Sequence, residues 1–130
     1  MFLPPGLELD PALIAFVKCH VTSPAKWEVL RVMAGREGTW LQSAQVARAS
    51  HRPPPEVGAA LAELASDGVL EACPAAAPED VSYRLPVDEP TSVVLHRLIE
   101  AATHSQELRE IIAAHFQNVR QRAIKSSAAA

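Results

Sequence analysis

The sequence contains four basic residues whose side chains could bind the phosphates of a nucleic acid. Arg48, His51 and Arg52 are close together in the sequence, and Arg84 follows in a later segment that alternates apolar and polar residues. Guanidinium groups bind phosphate oxygens through charge-assisted hydrogen bonds, and such contacts position a protein on DNA without reading its sequence. By residue type these four side chains could therefore contact phosphates. The alternative for each is a solvated position or a local ion pair.

The other reactive residue types form no catalytic motif. None of the five histidines belongs to an HExxH or HxH pattern, and the glycines form no phosphate-binding loop. His104 and His115 are about three helical turns apart, too far to share a metal ion. A site built from Cys19, His20 and a distant partner is the open alternative. We expect no enzyme, no metal and no cofactor.

Composition limits the classes of partner. The chain has 130 residues, of which 48% are hydrophobic and 21% charged, with a net charge of −3. This is a globular composition, and it argues against a strongly basic protein that coats nucleic acid. No apolar run approaches the roughly 20 residues that span a bilayer. Cys19 and Cys73 form no disulfide framework, so we expect a cytoplasmic protein with no membrane segment.

Local start signals predict four helices in the first half of the chain. Asp10-Pro11 and Ser23-Pro24 each place an N-cap residue before a proline in the first helical position. Ser43 is the predicted cap of a third helix, which follows a short β-like piece at residues 39–41. Three prolines at 53–55 precede a fourth helix. The predicted helices cover residues 11–20, 24–34, 44–49 and 56–66.

The second half predicts a β-hairpin and then helices. Residues 69–73 and 81–85 alternate as strands around a tip of about seven residues. The last third carries two neighbouring rows of apolar residues at three-four spacing, as one helix or as two broken near Thr103. One row would pack on the domain and the other on a second copy, unless both pack within the monomer. The predicted homodimer interface consists of Leu95, Leu98, Ile99, Leu108, Ile111, Ile112 and Phe116.

The order of elements from Pro24 to Leu85 resembles the winged helix-turn-helix superfamily. The segments that carry the resemblance are W27-E-V-L-R-V-M33, T39-W-L-Q-S-A-Q-V-A47, V57-G-A-A-L-A-E-L-A-S-D-G-V-L70 and Y83-R-L85. The form L-x-x-L-x-x-x-G-[VL]-[LI], at residues 61–70, is common in bacterial winged-helix regulators. The implied fold class is mainly α (α+β), a winged helix-turn-helix with a β-hairpin wing and additional N- and C-terminal helices.

The resemblance also implies a division of the chain. Residues 1–22 are expected to be a lead and a first helix, residues 23–86 the winged helix-turn-helix domain, and residues 87–124 a helical segment for dimerisation or packing. Residues 125–130 are expected to be a disordered tail. Gly68 would permit the sharp exit from helix to wing. The expected core residues are Leu30, Val46, Leu61, Leu64 and Leu70.

Two functions follow from the resemblance and stay open. In the first, a dimeric transcriptional regulator binds duplex DNA through Arg48, His51, Arg52 and Arg84. In the second, a winged-helix module binds a protein partner and no DNA. The helix that would enter the major groove has three acids, Glu56, Glu63 and Asp67, and no basic residue between positions 54 and 68. Phosphates would repel such a helix, although a helix N-terminus by itself favours an anion.

Overall fold

A computed structural model describes the backbone of residues 10–129 and the side chains of residues 10–122. Within this range the fold is mainly helical, with six α-helices and one three-stranded antiparallel sheet. The helices are α1 (Pro11–His20), α2 (Pro24–Gly35), α3 (Ser43–Ser50), α4 (Pro54–Ser66), α5 (Pro90–His104) and α6 (Gln106–Ala129). The strands are β1 (Leu41–Gln42), β2 (Glu71–Cys73) and β3 (Ser82–Arg84), and a short 3-10 turn spans Pro78–Asp80. The predicted lead at residues 1–9 lies outside the described residues.

Capping side chains start α1 and α2 as predicted. Asp10 accepts a hydrogen bond from the backbone N–H of Ala12 at 2.9 Å, and the Ser23 hydroxyl accepts one from Lys26 at 3.2 Å. Each bond satisfies an N–H group that the first helical turn leaves without a partner. A proline follows the cap in both helices. These two starts are local events, and the prediction is confirmed for both.

The starts of α3 and α4 differ from the prediction. Gln42, and not Ser43, is the N-cap of α3, and its backbone N–H donates to the side chain of Gln45 at 2.9 Å. Ser43 is itself the first helical residue. α4 begins two residues early, at Pro54, because proline fits the first turn of a helix, where its missing N–H costs no hydrogen bond.

β3 is the central strand of the sheet. It pairs antiparallel with β1 on one side and β2 on the other, so that Tyr83 lies opposite both Leu41 and Ala72. The predicted hairpin is confirmed, but both strands are shorter than the alternating pattern suggested. The segment predicted to begin β2 does not belong to the strand. The backbone N–H groups of Val69 and Leu70 both donate to the carbonyl of Leu64 at the end of α4.

Gly68 makes the exit from α4. Its φ of +83° lies in the left-handed region, where a side chain would be strained. The prediction for Gly68 is confirmed. Because the turn is tight, Val69 and Leu70 enter the core directly.

One hydrophobic core joins the three segments predicted from the sequence. All five expected core residues are buried, and Val29 and Met33 of α2 are fully buried beside them. The same cluster includes Phe16 and Val17 of α1 and Leu98 of α5. The terminal helices are therefore part of the packed fold.

α5 and α6 are two helices with a break at Ser105. The Ser105 hydroxyl accepts a hydrogen bond from the backbone N–H of Leu108 at 3.1 Å, which caps the start of α6. Arg109 donates through Nη1 to the carbonyls of Ala102 and Thr103, at 2.7 and 3.1 Å, which satisfies the end of α5. The break predicted near Thr103 exists, but its cap is Ser105. The Thr103 hydroxyl donates to a carbonyl within α5 instead.

α6 is the longest described helix, with 24 residues. It reaches Ala129, so the backbone of the predicted disordered tail is helical as far as that residue, and Ala130 lies outside the described residues. Neither α6 nor any other described helix has the length and apolarity needed to cross a membrane.

Replacing Ser105 with alanine tests where the break between α5 and α6 is capped. We expect Ser105→Ala to lower the free energy of unfolding by about 1 kcal/mol, because the N–H of Leu108 loses its acceptor. Thr103→Ala is the matched control and should leave stability nearly unchanged. Urea denaturation of the three proteins measures the difference. An equal or larger loss for Thr103→Ala would contradict the assignment of the cap.

Candidate nucleic-acid interface

Three of the four predicted DNA contacts line one open groove. α3 ends where His51 adopts a left-handed backbone conformation with φ 57°, and the chain then turns into α4. This turn gathers Arg48, His51 and Arg52. The other lining residues are apolar and belong to α3 and to the start of α4. We name this feature the α3–α4 groove, and its apolar lining consists of Ala44, Ala47, Pro53 and Pro54.

The basic residues of the groove differ in their partners. Arg48 and His51 are exposed and form no ion pair with the described residues. Arg52 is partly buried and donates to the carboxylate of Glu56 at 3.0 Å. Residues four apart on one side of a helical turn commonly pair in this way, so the spacing alone could have suggested it. Arg48 and His51 are therefore the basic residues of the groove that a ligand could reach without displacing a carboxylate.

Arg84 lies on the sheet and outside the α3–α4 groove. Its Nε and Nη2 atoms donate to one oxygen of Glu71 at 2.9 and 2.8 Å, between paired positions of β3 and β2. Its guanidinium also lies over the ring of Trp40, at 4.6 Å from the centroid. Trp40 is 41% exposed. Arg84 thus joins the strands and covers an aromatic ring, and its charge is already compensated.

The start of α4 offers few donors to an anion. Pro53, Pro54 and Pro55 have no N–H, and the N–H of Val57 donates to the carbonyl of Pro53 at 3.1 Å. Of the first three helical residues, only Glu56 retains a backbone donor, and its carboxylate stands at the same end. Anion binding at a helix N-terminus depends on free N–H groups. The proline run therefore leaves little support for the expectation that this N-terminus favours an anion, which stays a prediction.

The acidic residues Glu56, Glu63 and Asp67 do not form a negatively charged surface without basic neighbours. Glu63 lies 2.7 Å from Nζ of Lys26, a buried lysine that also donates to the hydroxyl of Thr22. Asp67 lies 3.8 Å from Nδ1 of His20, which is beyond hydrogen-bond distance but within electrostatic reach. Glu56 pairs with Arg52, as described above. Each acid faces a basic group, so the repulsion expected from the sequence is reduced.

The predicted dimer interface is largely occupied within the monomer. Leu95, Leu98, Leu108 and Ile112 are buried in the core, so they have almost no surface to offer a partner, and the prediction is wrong for these four. They face inward because α5 packs against α1 and α2, and α6 packs against α5 and α1. The other three residues keep partly exposed side chains. The homodimer stays a prediction that depends on Ile99, Ile111 and Phe116.

No group of three histidine, cysteine, aspartate or glutamate side chains that could hold a metal occurs among the described residues. Cys19 and Cys73 are free and exposed. His20 packs edge-on against Phe16, with ring centroids 5.0 Å apart.

The chain matches no protein-family model, and no curated protein matches it. The proposal about function therefore depends on the residues of the chain itself.

His115 of α6 has a lowered proton affinity in the folded protein. Burial lowers the pKa of His115 below its usual 6.5, and the nearby charges of Arg122 and Lys18 lower it further. Its Nε2 atom is buried without a hydrogen-bond partner among the described residues. The folded protein thus disfavours protonation of a side chain on α6 that lies near Lys18 of α1.

Acidification should destabilise the fold through His115. The imidazole of His115 binds a proton more tightly in the unfolded chain than in the folded protein. The free energy of unfolding therefore has its full value above about pH 6.5 and falls as the pH drops below that value. We expect the Tm of the wild-type protein to fall between about pH 7.5 and 5.5, where most carboxylates stay ionised. His115→Gln should flatten this slope, and His104→Gln, which removes an exposed histidine, should keep it. Equal slopes for the wild type and His115→Gln would refute this assignment.

Proposed function

We propose that residues 23–86 form a winged helix-turn-helix whose α3–α4 surface docks on a protein and does not read a DNA sequence. The order α2, β1, α3, α4, β2 and β3 supports the fold assignment. The placement of β3 between β1 and β2 supports it as well, since the hairpin then forms a wing beside α4. In this arrangement α4 is the helix that faces the partner.

The proposal that this surface docks on a protein depends on the exposed residues of α4. Between Pro54 and Ser66 there is no arginine, lysine, asparagine or glutamine. These are the side chains that pair with base edges in the major groove. The exposed residues of α4 are instead proline, alanine, glutamate and serine, and none is basic. A helix with this surface lacks the side chains that make bidentate contacts with guanine and adenine.

The α3–α4 groove indicates what chemistry a protein partner would need. Its apolar residues can accept aliphatic side chains, and Arg48 and His51 stand at the same groove without carboxylate partners. Complementary charge steers association and selects the orientation of a partner. Exposed Ala59 and Ala62 on α4 let another backbone approach closely. The partner in this proposal is therefore an acidic protein segment that also presents apolar side chains.

One observation favours a second function, a transcriptional regulator that binds duplex DNA. Arg48, His51 and Arg52 gather in one groove although they belong to the end of a helix and the following turn. Three cations in one place can hold phosphates without base contacts. In this alternative, binding depends on charge, and sequence preference comes from a second site or from DNA shape.

A DNA titration separates the two functions. The full chain is titrated into labelled, mixed-sequence duplex DNA at about 50 and 200 mM salt, and anisotropy is followed. The protein-docking proposal expects no salt-sensitive binding. Three phosphate contacts would instead produce binding at low salt that weakens about 40-fold at the higher salt. Such binding, if it is lost in Arg48→Ala/Arg52→Ala and kept in the charge-matched Arg36→Ala/Arg120→Ala, would establish the DNA function.

Photo-crosslinking tests the protein partner directly. A photo-reactive phenylalanine analogue is placed at position 59 on α4, or at position 113 on α6 as a control, because both alanines are exposed. In cells that naturally produce the chain, we expect a discrete protein adduct from position 59 only. Arg48→Ala/Arg52→Ala should reduce it strongly, because the groove loses its positive charge. An adduct with DNA, equal adducts from both positions, or no adduct would contradict the proposal.

A further inference from the structure

A second pocket opens where α2 meets the junction of α5 and α6. Its volume is about 210 Å³, below the roughly 300 Å³ at which pockets for drug-sized ligands begin. It is lined by Trp27 and Arg31 of α2, by Ile99, Ala102 and Thr103 of α5, and by Arg109 of α6. We name it the junction pocket. Its size suits a small molecule and not a cofactor.

Two arginines and no acid line the junction pocket. The Arg109 guanidinium is held in place by the two hydrogen bonds from Nη1 to the end of α5. Its Nε and Nη2 atoms form no hydrogen bond with the described residues, and together they make an edge that fits a carboxylate. Arg31 contacts only Glu28, at a long 3.5 Å, and half of its side chain is exposed. Two positive groups are thus available to one ligand.

Apart from Thr103, whose hydroxyl donates within α5, the remaining wall of the junction pocket is apolar. Trp27 and Ile99 are partly buried and pack against the core, and Ala102 is buried behind them. An indole ring in such a position offers a flat surface to an apolar or cyclic group. A bare inorganic anion would use the arginines and leave this surface in contact with water.

We propose that the junction pocket binds a small organic carboxylate, with its apolar body against Trp27 and its carboxylate held by Arg109 and Arg31. This inference goes beyond the proposed function, because the pocket shares no lining residue with the α3–α4 groove. The ligand would touch α2, α5 and α6 at once. It would therefore strengthen the contact between the C-terminal helices and the rest of the fold.

Fluorescence of Trp27 reports on ligand binding. The chain has two tryptophans, so Trp40→Phe leaves Trp27 as the only one. Cyclohexanecarboxylate is titrated to about 10 mM, which covers the millimolar affinities expected of small ligands. We expect a saturable change. Cyclohexylmethanol lacks the charge and inorganic phosphate lacks the apolar body, so both should bind at least about tenfold more weakly.

Arginine variants in the same background identify the groups that hold the carboxylate. Arg31→Gln should weaken binding at least about tenfold while the fold is unaffected, because Arg31 forms only a long surface ion pair. Arg109→Gln should weaken binding too, but it also removes the hydrogen bonds at the end of α5. Arg120→Gln, on the exposed side of α6, is the control and should bind like the parent protein.

Four results would overturn the proposal. The first is the absence of a saturable change in Trp27 fluorescence. The second is equal binding of cyclohexylmethanol, which would mean an apolar cavity only. The third is equal binding of phosphate, which would mean a plain anion site. The fourth is unchanged affinity in Arg31→Gln, which would place the ligand elsewhere.

Discussion

The apolar side of α2 is the surface on which the other elements are assembled. Val29, Leu30 and Met33 are fully buried, and α3, α4 and α5 all pack against this helix. The polar contact of Lys26 with Glu63 also joins α2 to α4. Because one helix contacts three others, its position determines the angle of the α3–α4 turn. The same helix supplies one wall of the junction pocket, so both candidate sites depend on its packing.

The proline run at the start of α4 connects local structure to function. Proline suits the first turn of a helix, so Pro54 and Pro55 start α4 well. The same residues remove the N–H groups with which a helix N-terminus holds a phosphate. The feature that starts α4 therefore also leaves its N-terminus with few backbone donors for a phosphate. The exposed surface that remains consists of small and acidic residues without a basic side chain, so it offers no charge to hold a phosphate.

Several charged side chains of this protein are already paired with another group within the fold. Arg84 looks like a DNA contact in the sequence, yet Glu71 and Trp40 already surround its guanidinium. Glu63 looks like a repulsive acid, yet it neutralises a buried lysine. A charged side chain that is already paired must lose that contact when it binds a ligand, and this loss reduces the free energy of binding. Counting charges along the chain thus overstated both the attraction and the repulsion between this surface and DNA.

The sequence alone determined the helix starts at Asp10 and Ser23, the role of Gly68 and the core leucines. Caps, prolines, positive φ and helical spacing act over a few residues, so they can be predicted without knowing the fold. Only the tertiary structure decided that Leu98 of α5 and Leu108 of α6 belong to the core. Two apolar rows on a helix do not indicate whether each row packs against the same domain or against a second copy of the chain. That choice, like the pairing of Arg84 with Glu71 across the sheet, depends on residues that are distant in the chain.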